Sequence, residues 1–292
     1  MNSRPEWLRK PLRLGPEVLK IRQEIGRLGL ATVCESARCP NLGECWSAGI
    51  ATFLILGERC TRACAFCAVG HGRPELPDPE EGVRIARFIA AHALRFVVLT
   101  SVTRDDLEDG GAGHFARVVG DIRRELPRVG LELLVPDFRG RPGTVETVAR
   151  LPAQVFGHNL ETVRELYPQV RSGADYERSL QVLRRAAAAR APGLRLKSGI
   201  MVGLGERPEQ LERLFADLAA AEVQILTIGQ YLRPTGFNAP VIRYYKPEEF
   251  EHLRTLAAGL GIPTVVAGPY VRSSYLAEQA FLASVPGTAE QV

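Results

Sequence analysis

No cysteine follows Cys67 in this chain of 292 residues, and all six cysteines lie between positions 34 and 67. Disulfide staples for a body of this size would be spread along it, so the crowding argues against a disulfide framework and for metal ligands. Apolar runs of 18 or more residues are also missing, which argues against a transmembrane helix. The N-terminal Met1-Asn-Ser-Arg-Pro-Glu-Trp-Leu-Arg-Lys lacks the apolar core of a secretory signal, so a reducing, cytoplasmic setting is expected. Lysine is scarce, with four in all, and the net charge of +4 comes from arginines scattered among acids. That distribution leaves no basic footprint for nucleic acid, although a mildly basic rim would suit an acidic protein partner.

What the chain does have is a strand-like run, Leu54-Ile-Leu-Gly-Glu-Arg, leading straight into Cys60, Cys64 and Cys67 at a C-x3-C-x2-C spacing. Three thiolates can hold three irons of a cubane cluster and leave the fourth iron open to a small molecule. A second triplet, Cys34, Cys39 and Cys45, precedes it at C-x4-C-x5-C spacing. A structural zinc would need a fourth cysteine or histidine close by, and the nearest candidate, His71, lies beyond the other triplet. Ligand count therefore favours two clusters. Pro40-Asn41-Leu42-Gly43 supplies the turn chemistry that lets a short loop wrap a metal.

Beyond Cys67, apolar β-rich runs alternate with helical patterns. Strands are expected at Thr52–Leu56, Phe96–Thr100, Leu131–Val135, Gln154–Gly157, Leu194–Val202, Ile225–Tyr231 and Pro263–Ala267. Helices are expected at Glu80–Ala93, Phe115–Leu126, Tyr176–Ala189, Pro208–Ala221 and Pro247–Leu260. This rhythm means parallel strands joined by helical crossovers, and near-continuous apolar runs such as Phe96-Val-Val-Leu suit strands covered on both faces. The units are too few for a closed eightfold barrel, so the fold class is α/β, a partial (β/α)6 TIM-like barrel with N-terminal and C-terminal extensions. Residues 1–50 would form the first extension, 51–270 the barrel and 271–292 the second, in one structural domain. A helix from Pro16, with apolar Val18, Leu19, Ile21, Ile25 and Leu28 at roughly helical spacing, would pack outside. At the tail, composition alone makes Ser273 or Ser274 the cap of a helix over Tyr275–Ala283.

Cys60, Cys64 and Cys67, with Phe66 before the last, resemble the signature of the radical S-adenosylmethionine (SAM) enzymes. In that family SAM chelates the open iron, and one electron from the cluster breaks its carbon–sulfur bond to give a hydrogen-abstracting 5′-deoxyadenosyl radical. The second triplet in its position further resembles the lipoyl synthase family. So do Thr100-Ser-Val-Thr-Arg-Asp-Asp-Leu-Glu-Asp-Gly-Gly, Leu134-Val-Pro-Asp-Phe, His158-Asn-Leu-Glu-Thr-Val, Lys197-Ser-Gly-Ile-Met-Val-Gly-Leu-Gly-Glu, Gln230-Tyr-Leu-Arg-Pro-Thr and Ala267-Gly-Pro-Tyr-Val-Arg-Ser-Ser-Tyr. The likeness spans residues 30 to 283.

That resemblance implies two 4Fe–4S clusters and SAM as cofactors, with Cys60, Cys64, Cys67 and Ser274 as the catalytic set. It puts Thr100, Ser101 and Val102 at the SAM amino group, Asn159 and Glu161 at its ribose or methionine part, and Arg171 and Lys197 at its carboxylate. Ser274 would complete a cluster on Cys34, Cys39 and Cys45, a hard, weakly held corner on a cluster that donates two sulfurs. The implied substrate is an octanoyl chain on a lipoyl carrier protein, modified at C6 and C8. An electron donor such as a ferredoxin or flavodoxin and an iron–sulfur cluster carrier are the implied partners, with no nucleic acid and no membrane. The alternatives are another sulfur-inserting enzyme of the methylthiotransferase kind and a non-catalytic electron carrier.

Among other residues, His158 is the histidine worth mutating, although a packed role is expected for it. His71, His92, His114 and His252 are expected at surfaces or helix ends. Asp105, Asp106 and Asp109 suit a helix N-terminal region better than a calcium loop. The glycines of Gly203-Leu-Gly205-Glu would let backbone approach SAM closely.

Overall fold

The computed structural model describes residues 5–9, 15–47 and 50–285. An opening 3-10 turn at Glu6–Leu8 is followed by helix α1 at Pro16–Arg27, α2 at Val33–Ser36 and α3 at Leu42–Ser47. Pro16 sits at the first position of α1, where its missing N–H costs nothing, and Val18 and Ile25 are buried while Leu19 points outward. Thr32 begins α2 by accepting a hydrogen bond from the Glu35 amide at 3.4 Å.

The body is a sheet of seven parallel strands. Strand β1 is Thr52–Ile55, and the two-residue pieces β2, Arg59–Cys60, and β3, Gly70–His71, pair with each other outside that sheet. The main sheet continues through β4 (Phe96–Ser101), β5 (Gly130–Leu134), β6 (Val155–Gly157), β7 (Arg195–Val202), β8 (Ile225–Gln230) and β9 (Thr264–Gly268), in the order β1-β4-β5-β6-β7-β8-β9. Every neighbour in it is parallel, and β1 and β9, the two outermost strands, do not pair with each other, so the barrel is open. Thr32 adds one antiparallel bridge to Phe53 of β1. The crossovers carry α4 (Glu81–Ala91), α5 (Ala112–Glu125), α6 (Thr144–Ala149), α7 (Tyr167–Val170), α8 (Tyr176–Ala189), α9 (Pro208–Ala220) and α10 (Pro247–Gly259); α11 (Ala277–Ser284) follows β9.

Alternation sorts the strand side chains. Val97 and Leu99 of β4, with Leu131 and Leu133 of β5, face outward into a core shared with α4, α5 and α6. Leu226 and Ile228 of β8 do the same against α9 and α10. The complementary residues Phe96, Val98, Val155 and Ile225 face the lumen, where they meet Ala277 and Ala280 of α11. The C-terminal helix therefore plugs the lower lumen. Burying these side chains contributes roughly 1.5–3 kcal/mol each, the usual return for a large apolar residue. Among the described residues, no helix is long and apolar enough to cross a membrane.

One expectation for the tail is corrected. Helix α11 starts at Ala277, not Tyr275, and neither serine caps it; its N-cap is Leu276, at a left-handed φ of 52°, with no side-chain cap bond. Residues 269–276 instead form an irregular strap over the barrel. Asn41 Nδ2 donates to the Tyr270 carbonyl at 2.6 Å, and the Tyr275 hydroxyl donates to Glu44 at 3.0 Å, which ties the strap to the second triplet's segment. Gly229 of β8 admits it, since a side chain there would run into the Val271 carbonyl.

Candidate functional site

The loop from Cys60 to His71 is fastened on several sides at the C-terminal ends of the strands. Pairing of Arg59 with Gly70 and Cys60 with His71 closes it into a ring. Thr61 donates from its amide and its hydroxyl to the Thr103 carbonyl, at 3.0 and 2.9 Å, next to the end of β4. Ala65 donates to the Val170 carbonyl at 2.9 Å, and Asn238, beyond β8, donates to the Cys67 carbonyl at 2.8 Å.

The strongest fastening was not legible in the sequence. Arg62, inside the loop, makes paired hydrogen bonds to Asp105 at 2.8 and 2.9 Å and to Asp137 at 2.9 and 2.8 Å. Asp137 is fully buried at the end of β5 and also accepts from Arg178 at 2.7 Å. Burial opposes its charge, but the Arg62 guanidinium outweighs that and holds the carboxyl well below the usual carboxylate range. Burial likewise works against the Arg62 charge, and its two carboxylates overcome it.

The thiols of the loop lie within electrostatic reach of one another. Burial pushes Cys64 up to about 11, with Arg171 opposing and Cys60 adding to the rise. Burial pushes Cys67 up to about 12, opposed by a backbone bond at Val69 and reinforced by Cys64. The Cys60 sulfur accepts from the amides of Arg62 and Thr103 at 3.4 and 3.3 Å. As metal-free thiols, Cys64 and Cys67 would be protonated at neutral pH, and loading iron must displace those protons. In the second triplet, burial and then Cys39 push Cys34 up to about 11. The Arg272 guanidinium of the strap acts on Cys39, and the Tyr275 phenol on Cys45. Among the described residues, no three acidic, histidine or cysteine side chains close on a single ion. A cluster sets its ligands further apart, because each thiolate takes a different iron. The all-sulfur donor sets fit iron–sulfur clusters in that respect.

Two buried acceptors without partners stand beside the loop: Ser101 Oγ at the end of β4 and Asn159 Oδ1 just after β6. Such orphans are uncommon in native proteins and fit a ligand that brings donors, as SAM does with its amino and ribose hydroxyl groups. The other nitrogen-bearing end of Asn159 is fixed, donating to Glu161 at 3.0 Å and to Ser273 Oγ at 2.6 Å. Glu161 sits at a left-handed φ of 67°, a strained conformation for this residue type, and burial raises its carboxyl while Arg171 opposes the shift. Arg171 is held by Tyr167 and Ser179 at 2.9 and 3.1 Å, and its charge acts on Glu161 and Cys64. Phe66 packs with Val170, Leu204 and Tyr231.

Thr100 and Val102 are buried at the same strand end, but the Thr100 hydroxyl is committed to the Leu134 carbonyl at 2.8 Å. Lys197 is not among this group. It lies two residues before Gly199 on the lumen face of β7, paired with Glu132 at 2.8 Å, with side chains only 2% and 0% exposed. Burial raises the Glu132 carboxyl against the pull of Lys197, and Glu132 Oε1 has no partner. The amides of Gly203 and Leu204 are taken by the Glu206 carboxylate at 2.6 and 2.9 Å. Gly203 is needed for another reason: at φ 101° it leaves room for the Gln230 side chain and the Arg243 carbonyl. Asp109 caps the start of α5, accepting from Gly111 and Gly113 at 2.8 and 2.6 Å, as a helix N-terminal region should. His114 is at that helix end yet buried, paired with Glu81 at 2.6 Å.

His158 is packed. Its Nδ1 faces the Val135 carbonyl at 2.8 Å, Nε2 is without a partner, and burial, reinforced by Arg171, lowers it to about 4. Between about 4 and the ordinary histidine value of 6.5, only the unfolded chain takes up this proton. The neutral imidazole's contribution is thus complete above pH 6.5 and is lost as pH falls towards 4, by at most about 1.4 kcal/mol per unit. The stability of the parent protein relative to His158→Gln is therefore expected to fall over that window. Denaturant titrations of both proteins at pH 7 and pH 5 check this, and a constant difference would contradict it.

A model of the radical SAM superfamily matches residues 54–218. The lipoyl synthase of Acidithiobacillus ferrooxidans is 51% identical over 279 residues, covering 95% of this chain and 88% of that protein. The lipoyl synthase of Xylella fastidiosa is 48% identical over 278 residues, covering 94% of this chain and 74% of that protein. Among solved structures, an FeFe-hydrogenase maturase from Carboxydothermus hydrogenoformans superposes with a TM-score of 0.56 at 15% identity, over 91% of this chain and 77% of that one. At that identity the likeness speaks for the fold alone.

Proposed function

The chain belongs to the lipoyl synthases of the radical SAM superfamily, and from that premise we propose how its two cysteine triplets divide the work. It is a sulfur-inserting enzyme that uses SAM and 4Fe–4S clusters, and its reaction calls for an octanoylated carrier and a reductant. When bound, the cluster with SAM supplies a hydrogen-abstracting radical, and a second cluster supplies sulfur. In our reading Cys60, Cys64 and Cys67 hold the first cluster, and Cys34, Cys39, Cys45 and Ser274 hold the second. Arg171 offers charge-assisted bonds to the SAM carboxylate. Ser101 Oγ and Asn159 Oδ1 take up hydrogens that SAM presents, while Glu161 orients Asn159. Thr100, Val102 and Phe66 shape the same pocket. Lys197 acts from below, keeping the Glu132 carboxylate paired inside the lumen.

The single observation that supports this division is the strap at residues 269–276. Its bonds to Asn41 and Glu44 hold it against the second triplet, while Ser273 meets Asn159 beside the first. The apolar lower lumen at Phe96, Val98, Val155 and Ile225 and its α11 plug exclude water from beneath the site, as a radical on unactivated carbon requires. Residues 1–50, 51–270 and 271–292 would then be extension, barrel and returning tail of one domain. The substrate would be an octanoyl-lysine on a lipoyl carrier domain, with a ferredoxin or flavodoxin as reductant, a cluster carrier for repair, and the cytoplasm as the setting.

Reconstituted protein given SAM, a strong reductant and an octanoyl-lysine peptide under anaerobic conditions should form 5′-deoxyadenosine and add sulfur to the peptide. Deoxyadenosine without sulfur gain would contradict the substrate. For the weak corner, Ser274→Cys is expected to slow sulfur release by roughly 10–100-fold, the range that changes around a metal site ordinarily cost. An undiminished rate of lipoyl product would contradict a serine that must let go.

A further inference from the structure

We propose that Ser273 is a positioning residue that couples seating of the C-terminal strap to SAM binding, an inference that rests on the reading of the site given above. The side-chain nitrogen of Asn159 has two hydrogens, and both are used, one by Glu161 at 3.0 Å and one by Ser273 Oγ at 2.6 Å. With both engaged, the amide plane is fixed, and so is the direction of the unpartnered Oδ1. One of those two restraints comes from the barrel's own chain next to β6. The other comes from a residue 114 positions away in sequence, on the strap.

The surroundings leave little alternative. Gly199 forms the floor beneath this contact, and a Cβ there would fall 2.7 Å from Thr227 Oγ1, 2.9 Å from Asn159 Oδ1 and 3.0 Å from Ser273 Oγ. Strap, Asn159 and β7 thus meet at one point, and a side chain at position 199 would disturb all three. On either side of Ser273 the strap addresses the other centre: Tyr275 bonds Glu44, and the Asn41 side chain bonds the Tyr270 carbonyl. When the strap lifts, Asn159 loses a restraint and one of its hydrogens is left buried and unpaired, which is costly. SAM therefore binds best when the strap, and with it the proposed sulfur-donor site, is seated. By linkage, SAM must in turn hold the strap down. The arrangement favours radical formation only when the sulfur source is in place.

The test uses the full chain loaded with both clusters and no reductant, so that SAM binds without being consumed. Equilibrium SAM binding and amide hydrogen exchange are measured on the parent protein and on Ser273→Ala. Loss of one neutral hydrogen bond should weaken SAM binding by about two- to tenfold. In the parent protein SAM should slow exchange across residues 269–276, and in Ser273→Ala that slowing should disappear, with α10 exchanging equally in both. Unchanged SAM affinity in Ser273→Ala, or a parent strap that exchanges no more slowly with SAM bound, would overturn the proposal. A parent protein that binds SAM but adds no sulfur to an octanoyl peptide would remove the functional reading instead. The coupling would still be decided by these two measurements.

Discussion

Replacing Arg62 by methionine is expected to destabilise the reconstituted protein by about 3–5 kcal/mol, the usual cost of removing one partner from a buried ion pair. Methionine preserves much of the side-chain volume but none of the charge. Asp137, fully buried, keeps Arg178 but loses two hydrogen bonds, and Asp105 loses two more. Because Arg62 lies within the loop that carries Cys60, Cys64 and Cys67, the damage should concentrate there. Iron affinity at that loop is expected to drop by about 10–100-fold, as when other supports of metal ligands are removed. Arg62→Lys should fall in between, since an ammonium keeps the charge but cannot make two paired contacts at once. Anaerobic denaturant unfolding together with iron analysis checks both effects. A methionine variant of parental stability that retains its full iron would show that the two carboxylates do not fasten the loop.

The second large effect separates the two triplets. Cys64→Ala should reduce deoxyadenosine formation to the background of cluster-free protein, with iron falling from about eight to about four per chain. Cys39→Ala should lose a similar amount of iron and yet still cleave SAM, while adding no sulfur to the peptide. The physical reason lies in the ligand count. In Cys64→Ala two cysteines leave a cubane with two irons that have no protein ligand, and the buried Cys67 thiol reverts to its protonated form. In Cys39→Ala two cysteines and Ser274 leave the second cluster one thiolate short. Iron analysis, deoxyadenosine yield and peptide mass on both variants give the answer. If Cys39→Ala stops SAM cleavage and Cys64→Ala spares it, the roles of the triplets are reversed.

Much of the barrel is written plainly in the sequence. The seven main strands fall within a residue or two of their expected limits, because strands covered on both faces must be almost wholly apolar. The pairing of β2 with β3 leaves no such trace, since two residues carry no period. The cysteine triplets can be proposed as ligands from sequence because metal sites require particular atoms at short spacing. What holds those loops is not, because Arg62 meets Asp105 and Asp137 across 43 and 75 positions. Glu132, in Leu131-Glu-Leu-Leu, reads as one polar residue in a strand, and nothing local announces Lys197 as its partner. In the tail, two adjacent serines look alike as helix caps. Only the strap's path, set by Gly229 and the bonds to Asn41 and Glu44, distinguishes Ser273 facing Asn159.

In our reading a cluster on Cys34, Cys39, Cys45 and Ser274 is the source of the inserted sulfur. The most direct measurement reconstitutes the protein with heavy-isotope sulfide, removes the excess, and supplies SAM, reductant and octanoyl-lysine peptide in the presence of ordinary sulfide. Mass spectrometry of the peptide from the first turnover, with iron counted alongside, gives the outcome. Two heavy sulfur atoms are expected in the lipoyl product, with loss of one cluster's iron per chain. Product carrying ordinary sulfur, or heavy product formed while both clusters stay intact, would contradict it.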